Sequence, residues 1–365
     1  MKLRVGGKLK KRMGKKRQNA IFLCFVLLAL YFSPPALLRT TPQGIKNEPK
    51  QGAKRNTEIP PGSPLIYWTG GIETAESLKQ FGIEQIATPP NKSEEWRKAG
   101  FKVVAVSSAE IQQRAKLLTP RIADRANVAS ATRSPWIDAN GWRFVRNSSG
   151  RFYYDLPRGR AAIALAEVIA YKGDAILKID PSDLKEAGAM IAFGKDVAGD
   201  DYPPIADFGI IDDGSPETGE AMNLLMRRNL LYKIVRDSMP QFTLNIKFGS
   251  KEFPKAIVAN PSEFARGVRQ RLGDENRSLR IYGSEMVICH LTGSDSRARL
   301  HLLNYSGRDA FGLRVRLRGN YSRGEAKAFG QGRVELEEFV NDKNSTEFSL
   351  LKTGVYAVID LFRGN

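Results

Sequence analysis

The sequence is poor in cysteine and histidine. Of 365 residues only Cys24 and Cys289 are cysteines and only His290 and His301 are histidines. Cys24 lies in an apolar segment and Cys289 stands alone in the body, so no disulfide framework is expected. Two histidines leave no room for a histidine-rich metal site, and neither a metal nor a cofactor is expected. The phosphate-cradling, dinucleotide-binding, nucleophile-elbow and zinc-protease motifs are all absent. Acidic residues are almost missing from one end: residues 1–55 hold 14 Lys and Arg against the single acid Glu48. The formal charge of +18 therefore sits mainly in that tail. The remaining body is close to neutral, which argues against a nucleic-acid partner.

The tail has its own pattern. Nine Lys and Arg within residues 2–17 precede an uncharged run from Ala20 to Phe32, then Ser33-Pro34-Pro35 and Ala36-Leu37-Leu38. Basic flank and apolar core form an export signal with the N-terminus held in the cytoplasm. Residues 20–38 are nearly long enough to span a bilayer. No small-residue cleavage site follows Phe32, which favours an uncleaved membrane anchor over a cleaved signal that would leave a secreted or periplasmic protein. Residues 1–39 are thus read as tail and transmembrane segment. Residues 40–62, rich in Pro, Gly, Lys, Asn and Gln, cannot bury a core and read as a tether.

Residues 63–275 read as an α/β region. Short apolar runs at 65–68, 85–87 and 101–106 alternate with amphipathic stretches at 74–81 and 93–99, which predicts parallel strands in a barrel or partial barrel. Further strands are expected at 175–180 and 208–213, each ending in carboxylates. A helix is expected over 159–171, and another from the Ser215 cap and Pro216 to about Val235. Residues 120–157 are too polar and aromatic for a core element and are expected to form a loop or small hairpin over one end of the sheet, where ligands of such folds bind. From 276 to 365 the period changes to two: Leu313, Val315 and Leu317 alternate with Arg314, Arg316 and Arg318, predicting an antiparallel β-sandwich with one solvated face.

The chemistry-bearing residues are carboxylates at strand ends beside aromatic rings. Sugars present polar edges and apolar faces, and glycosidases use a carboxylate pair. Asp180, Asp212 and Asp213 are the candidate catalytic groups. Trp136, Asp138, Asn140, Trp142, Tyr153, Asp155 and Lys178 are the candidate carbohydrate-binding residues. Each has a structural alternative: a rim ion pair for Lys178 with Asp180, a helix-starting role for Asp212 and Asp213, and a lid covering the core for the aromatic segment.

Three stretches carry a resemblance: Ile210-Ile211-Asp212-Asp213-Gly214-Ser215-Pro216-Glu217-Thr218-Gly219-Glu220, Leu279-Arg280-Ile281-Tyr282-Gly283-Ser284-Glu285, and Leu300-His301-Leu302-Leu303-Asn304-Tyr305. Over about two-thirds of its length the chain resembles glycoside-hydrolase-related proteins of the β-galactosidase kind. Those have a barrel-like α/β region, a glutamine-amidotransferase-like region and a C-terminal β-sandwich. Together with the export segment, the resemblance implies an envelope-exposed protein that acts on or binds carbohydrate or polysaccharide, a glycoside hydrolase if active. The alternative is a non-catalytic binding or structural protein on a degenerate glycosidase fold. Lys178-Ile179-Asp180 is similar to the Lys-x-Asp in which α-galactosidase-like barrels place a nucleophilic aspartate. Two departures stand against catalysis: no Asn-Glu ends an expected strand, and the parallel region is short for a complete barrel of ~250 residues.

Overall fold

A computed structural model of the chain describes residues 63–123 and 136–364. The expected membrane segment at 20–38, the tether at 40–62, and Ser134 and Pro135 lie outside the described residues. Among those described, no helix is long and apolar enough to cross a membrane.

The parallel strands are β1 (Leu65–Tyr67), β2 (Gln85–Thr88), β3 (Lys102–Ala105), β4 (Ala115–Lys116), β7 (Arg151–Asp155), β8 (Asp174–Lys178), β9 (Phe208–Ile211), β10 (Tyr232–Val235) and β11 (Asn245–Lys247), with β5 (Arg121–Ala123) and β6 (Trp136–Asp138) forming a separate hairpin. The helices are α1 (Ala75–Gln80), α2 (Ser93–Lys98), α3 (Ser108–Gln113), α4 (Gly141–Arg146), α5 (Ala161–Tyr171), α6 (Leu184–Asp196), α7 (Pro216–Arg227) and α8 (Pro261–Leu272). Among the described residues the parallel strands make two sheets rather than one closed barrel. Six run in the order β3-β2-β1-β8-β7-β4 and three in the order β10-β9-β11.

Strand alternation divides the six-stranded sheet into two unlike faces. Ile66, Ile86, Val103, Tyr154 and Leu177 pack on Leu78, Trp96, Leu165 and Met190 of the helices. The opposite face carries only a thin cluster of Leu65, Ala87, Val106 and Ile176, flanked by Tyr67, Val104, Ile111 and Tyr153. Helices α1, α2, α5 and α6 cover the first face, whereas only Ile111 of the short α3 reaches the second, which is left largely open.

The sandwich is built from β12 (Leu279–Tyr282), β13 (Val287–Gly293), β14 (Arg297–Asn304), β15 (Ala310–Arg318), β16 (Arg323–Ala328), β17 (Gly332–Val334), β18 (Glu337–Asp342), β19 (Ser345–Thr353) and β20 (Tyr356–Phe362). The sheets run β12-β15-β19-β18 and β13-β14-β20-β16-β17. Leu300, Leu302, Leu313, Val315, Leu317, Phe348 and Ile359 fill the space between them. The arginines of β15 face away from that core, and Glu347 pairs with both Arg314 and Arg316. The outer face of the five-stranded sheet is covered by the α/β part, so Ile288, Leu303, Tyr305 and Tyr356 join its core. Helix α5 lies between β8 and β14, which explains why it is apolar on nearly every side.

Three expectations need correction. Phe152-Tyr153-Tyr154-Asp155 is not loop: it forms β7, between β4 and β8. Its apparent polarity is the alternation of a strand with one open face. The segment around Trp136 does contain a hairpin, but it also supplies the core, with Ile137, Asn140 and Phe144 buried. The helix after Ser215 stops at Arg227, because Asn229 adopts a left-handed conformation (φ 51°) and the β-branched run that follows becomes β10. Asn229 is held there by the sandwich: its Nδ2 donates to Val287 O at 2.9 Å and its Oδ1 accepts from Cys289 N at 2.8 Å.

Candidate functional site

The carboxyl ends of β1, β7 and β8 bring four polar side chains onto the open face. Cross-strand register sets Asp155 opposite Lys178, and Tyr67 lies on the adjoining strand. The Lys178 ammonium sits 3.2 Å from the Asp155 carboxylate, both side chains about half exposed. Burial raises the pKa of Tyr67, more than the Lys178 charge lowers it. Burial, then the Asp155 charge and Tyr67, push Tyr153 up to about 12. Both phenols therefore stay protonated at neutral pH and can donate hydrogen bonds. The face brings together an anion, a cation and two phenol rings.

Asp180 does not pair with Lys178. It turns away at the strand end to start a short 3₁₀ turn, where its Oδ1 accepts from Ser182 N at 2.9 Å and Ser182 Oγ at 2.6 Å. These bonds hold its carboxyl below the usual range. Nearby Asp183 accepts from the backbone N–H groups of Gly159 and Arg160 and so ties the start of α5 to the β8 loop.

Asp212 and Asp213 belong to a different cluster, with Trp142. Arg146 forks onto Asp212 (Nε–Oδ2 2.9 Å, Nη2–Oδ1 2.7 Å), and Gly214 N donates at 2.9 Å. Burial pushes the Asp212 carboxyl up, but these donors prevail and the net shift is downward. Asp213 accepts from Ser215 Oγ (2.6 Å), Ser215 N (2.9 Å) and Thr218 Oγ1 (2.7 Å), which hold it well below its ordinary value. Trp142 stacks under the Arg143 guanidinium at 4.3 Å, and Trp136 under Arg227 at 3.4 Å. A Cβ on Gly219 would lie 2.5 Å from Arg146 and 2.9 Å from Trp142, so the glycine lets α7 approach them. Asp138 pairs with Arg121 at 3.4 Å. Among the described residues, no hydrogen bond, ion pair or ring contact joins this cluster to Lys178, Asp155 or Asp180.

Asn140 is wholly buried, and it leads to the residue that sequence reasoning missed. Its N and Nδ2 donate to the two oxygens of Glu167 at 2.7 and 3.1 Å. Tyr305 of the sandwich donates to Glu167 at 2.7 Å, and the Tyr154 hydroxyl also donates. Burial raises the Glu167 pKa, while the four donors favour the ionised carboxylate. Glu167 is a structural hub, closed to ligands. The signal for it was a lone charge in the otherwise apolar run from Ala161 to Tyr171. A cavity of about 760 Å³ at the opposite, amino-terminal end of the strands was also missed.

No family model matches the sequence, and no curated protein matches it. Solved structures do show similarity. An α-L-fucosidase isoenzyme 2 from Paenibacillus thiaminolyticus aligns with TM-score 0.49 and 9% identity, over 75% of this chain and 71% of that one. A GH42 β-galactosidase from G. stearothermophilus aligns with TM-score 0.34 and 8% identity, over 82% of this chain and 60% of that one. A rhamnosidase from a Novosphingobium species aligns with TM-score 0.39 and 8% identity, over 74% and 38%. These structural neighbours are glycoside hydrolases. At this level of similarity, function has to be read from the geometry of the site itself.

Proposed function

We propose that the chain is an envelope protein, anchored through residues 20–38 with its body outside the cytoplasmic membrane, that binds carbohydrate without cleaving it. The observation that carries this reading is the Asp155–Lys178 pair, set beside Tyr67 and Tyr153 on the open face at the carboxyl ends of parallel strands. Ligands of parallel α/β sheets bind at that end. A carboxylate accepts from sugar hydroxyls, an ammonium donates to them, and phenol rings meet the apolar ring face.

Hydrolysis would need one carboxyl group held protonated beside a second that is ionised. The three strand-end aspartates expected to do chemistry are all shifted downward, and local hydroxyl, amide or guanidinium donors occupy them. None of the three is suited to act as the acid.

The test is a turnover screen with p-nitrophenyl glycosides and envelope polysaccharides. No release of product above the uncatalysed rate is expected. Turnover that disappears in Asp180→Asn would overturn the non-catalytic reading and make Asp180 the nucleophile.

A further inference from the structure

We propose that the cavity between the α/β part and the sandwich is a second ligand site, for a neutral hydroxylated ring compound of one or two sugar rings. Its volume, about 760 Å³, is within the ~300–1,000 Å³ of small-ligand pockets. It lies near the start of β2, the end of α5 and the segment after α6, with β13 and β14 of the sandwich as its other wall. Barrel active sites sit at the carboxyl ends of strands, so this position is separate from the Asp155–Lys178 face. The inference does not rest on that face.

Both histidines of the chain line this cavity. They are opposite one another in the β13–β14 register, with rings 6.0 Å apart. Behind His301 lies Tyr356, its ring nearly parallel and its hydroxyl 2.7 Å from Nδ1. A phenol is the better donor of the two, so Tyr356 donates and His301 presents Nε2–H to the cavity. His301 is only 7% exposed, and its Nε2 has no protein partner. His290 makes no hydrogen bond to the described protein, and its ring lies against Tyr171 at 4.5 Å.

The character of the ligand follows from charge and shape. The nearby charges are neutralised in pairs: Lys172 with Asp201 at 2.6 Å, Asp200 with Arg297 at 3.4 Å, and Arg299 forked onto Asp360 at 2.6 and 2.9 Å. Exposed Lys195 and Glu84 at the edge oppose one another in sign. Burial keeps both imidazoles neutral at neutral pH. The neutral His290 offers a ligand one donor and one acceptor, and His301, whose acceptor is taken by Tyr356, offers one donor. Ile169, Ile191, Val197 and the Tyr171 ring supply an apolar wall for the C–H face of a ring.

With only two histidines, the imidazole Cε1–H spectrum of the full chain in detergent contains two signals, and both report on this cavity. The probes are glucose, galactose, N-acetylglucosamine, cellobiose, lactose and chitobiose. At least one of them is expected to shift both signals saturably. Ala198→Trp, at an exposed lining position, should weaken that response at least tenfold without removing a binding group. His290→Gln should weaken it as well, followed through the remaining His301 signal. Tyr67→Ala, on the other face, should leave it unchanged. The proposal is overturned if no probe moves either signal, if Ala198→Trp leaves the response intact, or if Tyr67→Ala abolishes it. Loss of polysaccharide binding in Tyr67→Ala with the imidazole response intact bears on the strand-end face alone.

Discussion

Glu167→Gln is the most informative single perturbation of the fold. The substitution keeps size and shape but changes one acceptor oxygen into a two-proton donor. Glu167 receives four donors, two on each oxygen: Asn140 N with Tyr305 on one, Asn140 Nδ2 with Tyr154 on the other. Whichever oxygen becomes the amide nitrogen, it faces an Asn140 N–H that cannot turn away. The tyrosine hydroxyl beside it can rotate and accept. One buried donor is therefore orphaned, and the charge that strengthened the other bonds is lost. At about 1–3 kcal/mol for each such defect, the expected cost is about 3 kcal/mol. For a unit of this size that is a fall in Tm of about 6 °C. Urea denaturation should show a lower midpoint with an unchanged slope, because the surface exposed on unfolding is the same. Tyr305→Phe removes one donor but leaves a carboxylate with three, and should cost about 1 kcal/mol. A Glu167→Gln protein within about 0.5 kcal/mol of wild type would refute the assignment of Glu167 as an ionised hub.

Three further outcomes are expected. Burial, with Lys172 adding to it, pushes the His290 imidazole down to about 4, and His301 is also depressed. Since the unfolded value is ~6.5, the unfolded chain binds more protons between those limits. Stability should therefore fall as pH is lowered through that window, by at most about 3 kcal/mol from His290, which borders the cavity. A flat denaturation midpoint across the window would contradict this. Gly219→Ala should cost about 1–3 kcal/mol by forcing Arg146 and Trp142 aside, seen as a lower Tm. Full-length protein should sediment with membranes and expose its body to external protease, whereas a chain lacking residues 1–60 should stay in the supernatant; protection of the body in spheroplasts would reverse the orientation.

The sandwich was legible because burial on one face leaves a two-residue period, and Leu313, Val315 and Leu317 report it directly. The early strands were legible because turns separate short apolar runs. β7 was not, because a strand with a half-open face can carry Tyr153 and Asp155 on that side and resemble a loop. The end of α7 had a local mark in Asn229, a residue type that tolerates the left-handed conformation just past a helix end, but the apolar run beyond it continued the pattern; the sandwich backbone holds Asn229 in place. The candidate site was legible residue by residue but not in its pairings. Lys178 and Asp180 are two apart in sequence, yet the strand ends between them, and the partner of Lys178 comes from β7. The histidine pair was open to a closer reading, since His290 and His301 flank a short hairpin at matching distances.

Sugar binding without hydrolysis is assigned to the open face of the parallel sheet. The most direct measurement is a binding isotherm for envelope polysaccharide on wild-type protein and on Tyr67→Ala, with product release followed in the same samples. Saturable binding to the wild type is expected, with at least a tenfold loss in Tyr67→Ala and no released sugar from either. Equal binding by the two proteins, or sugar released by the wild type, would contradict it.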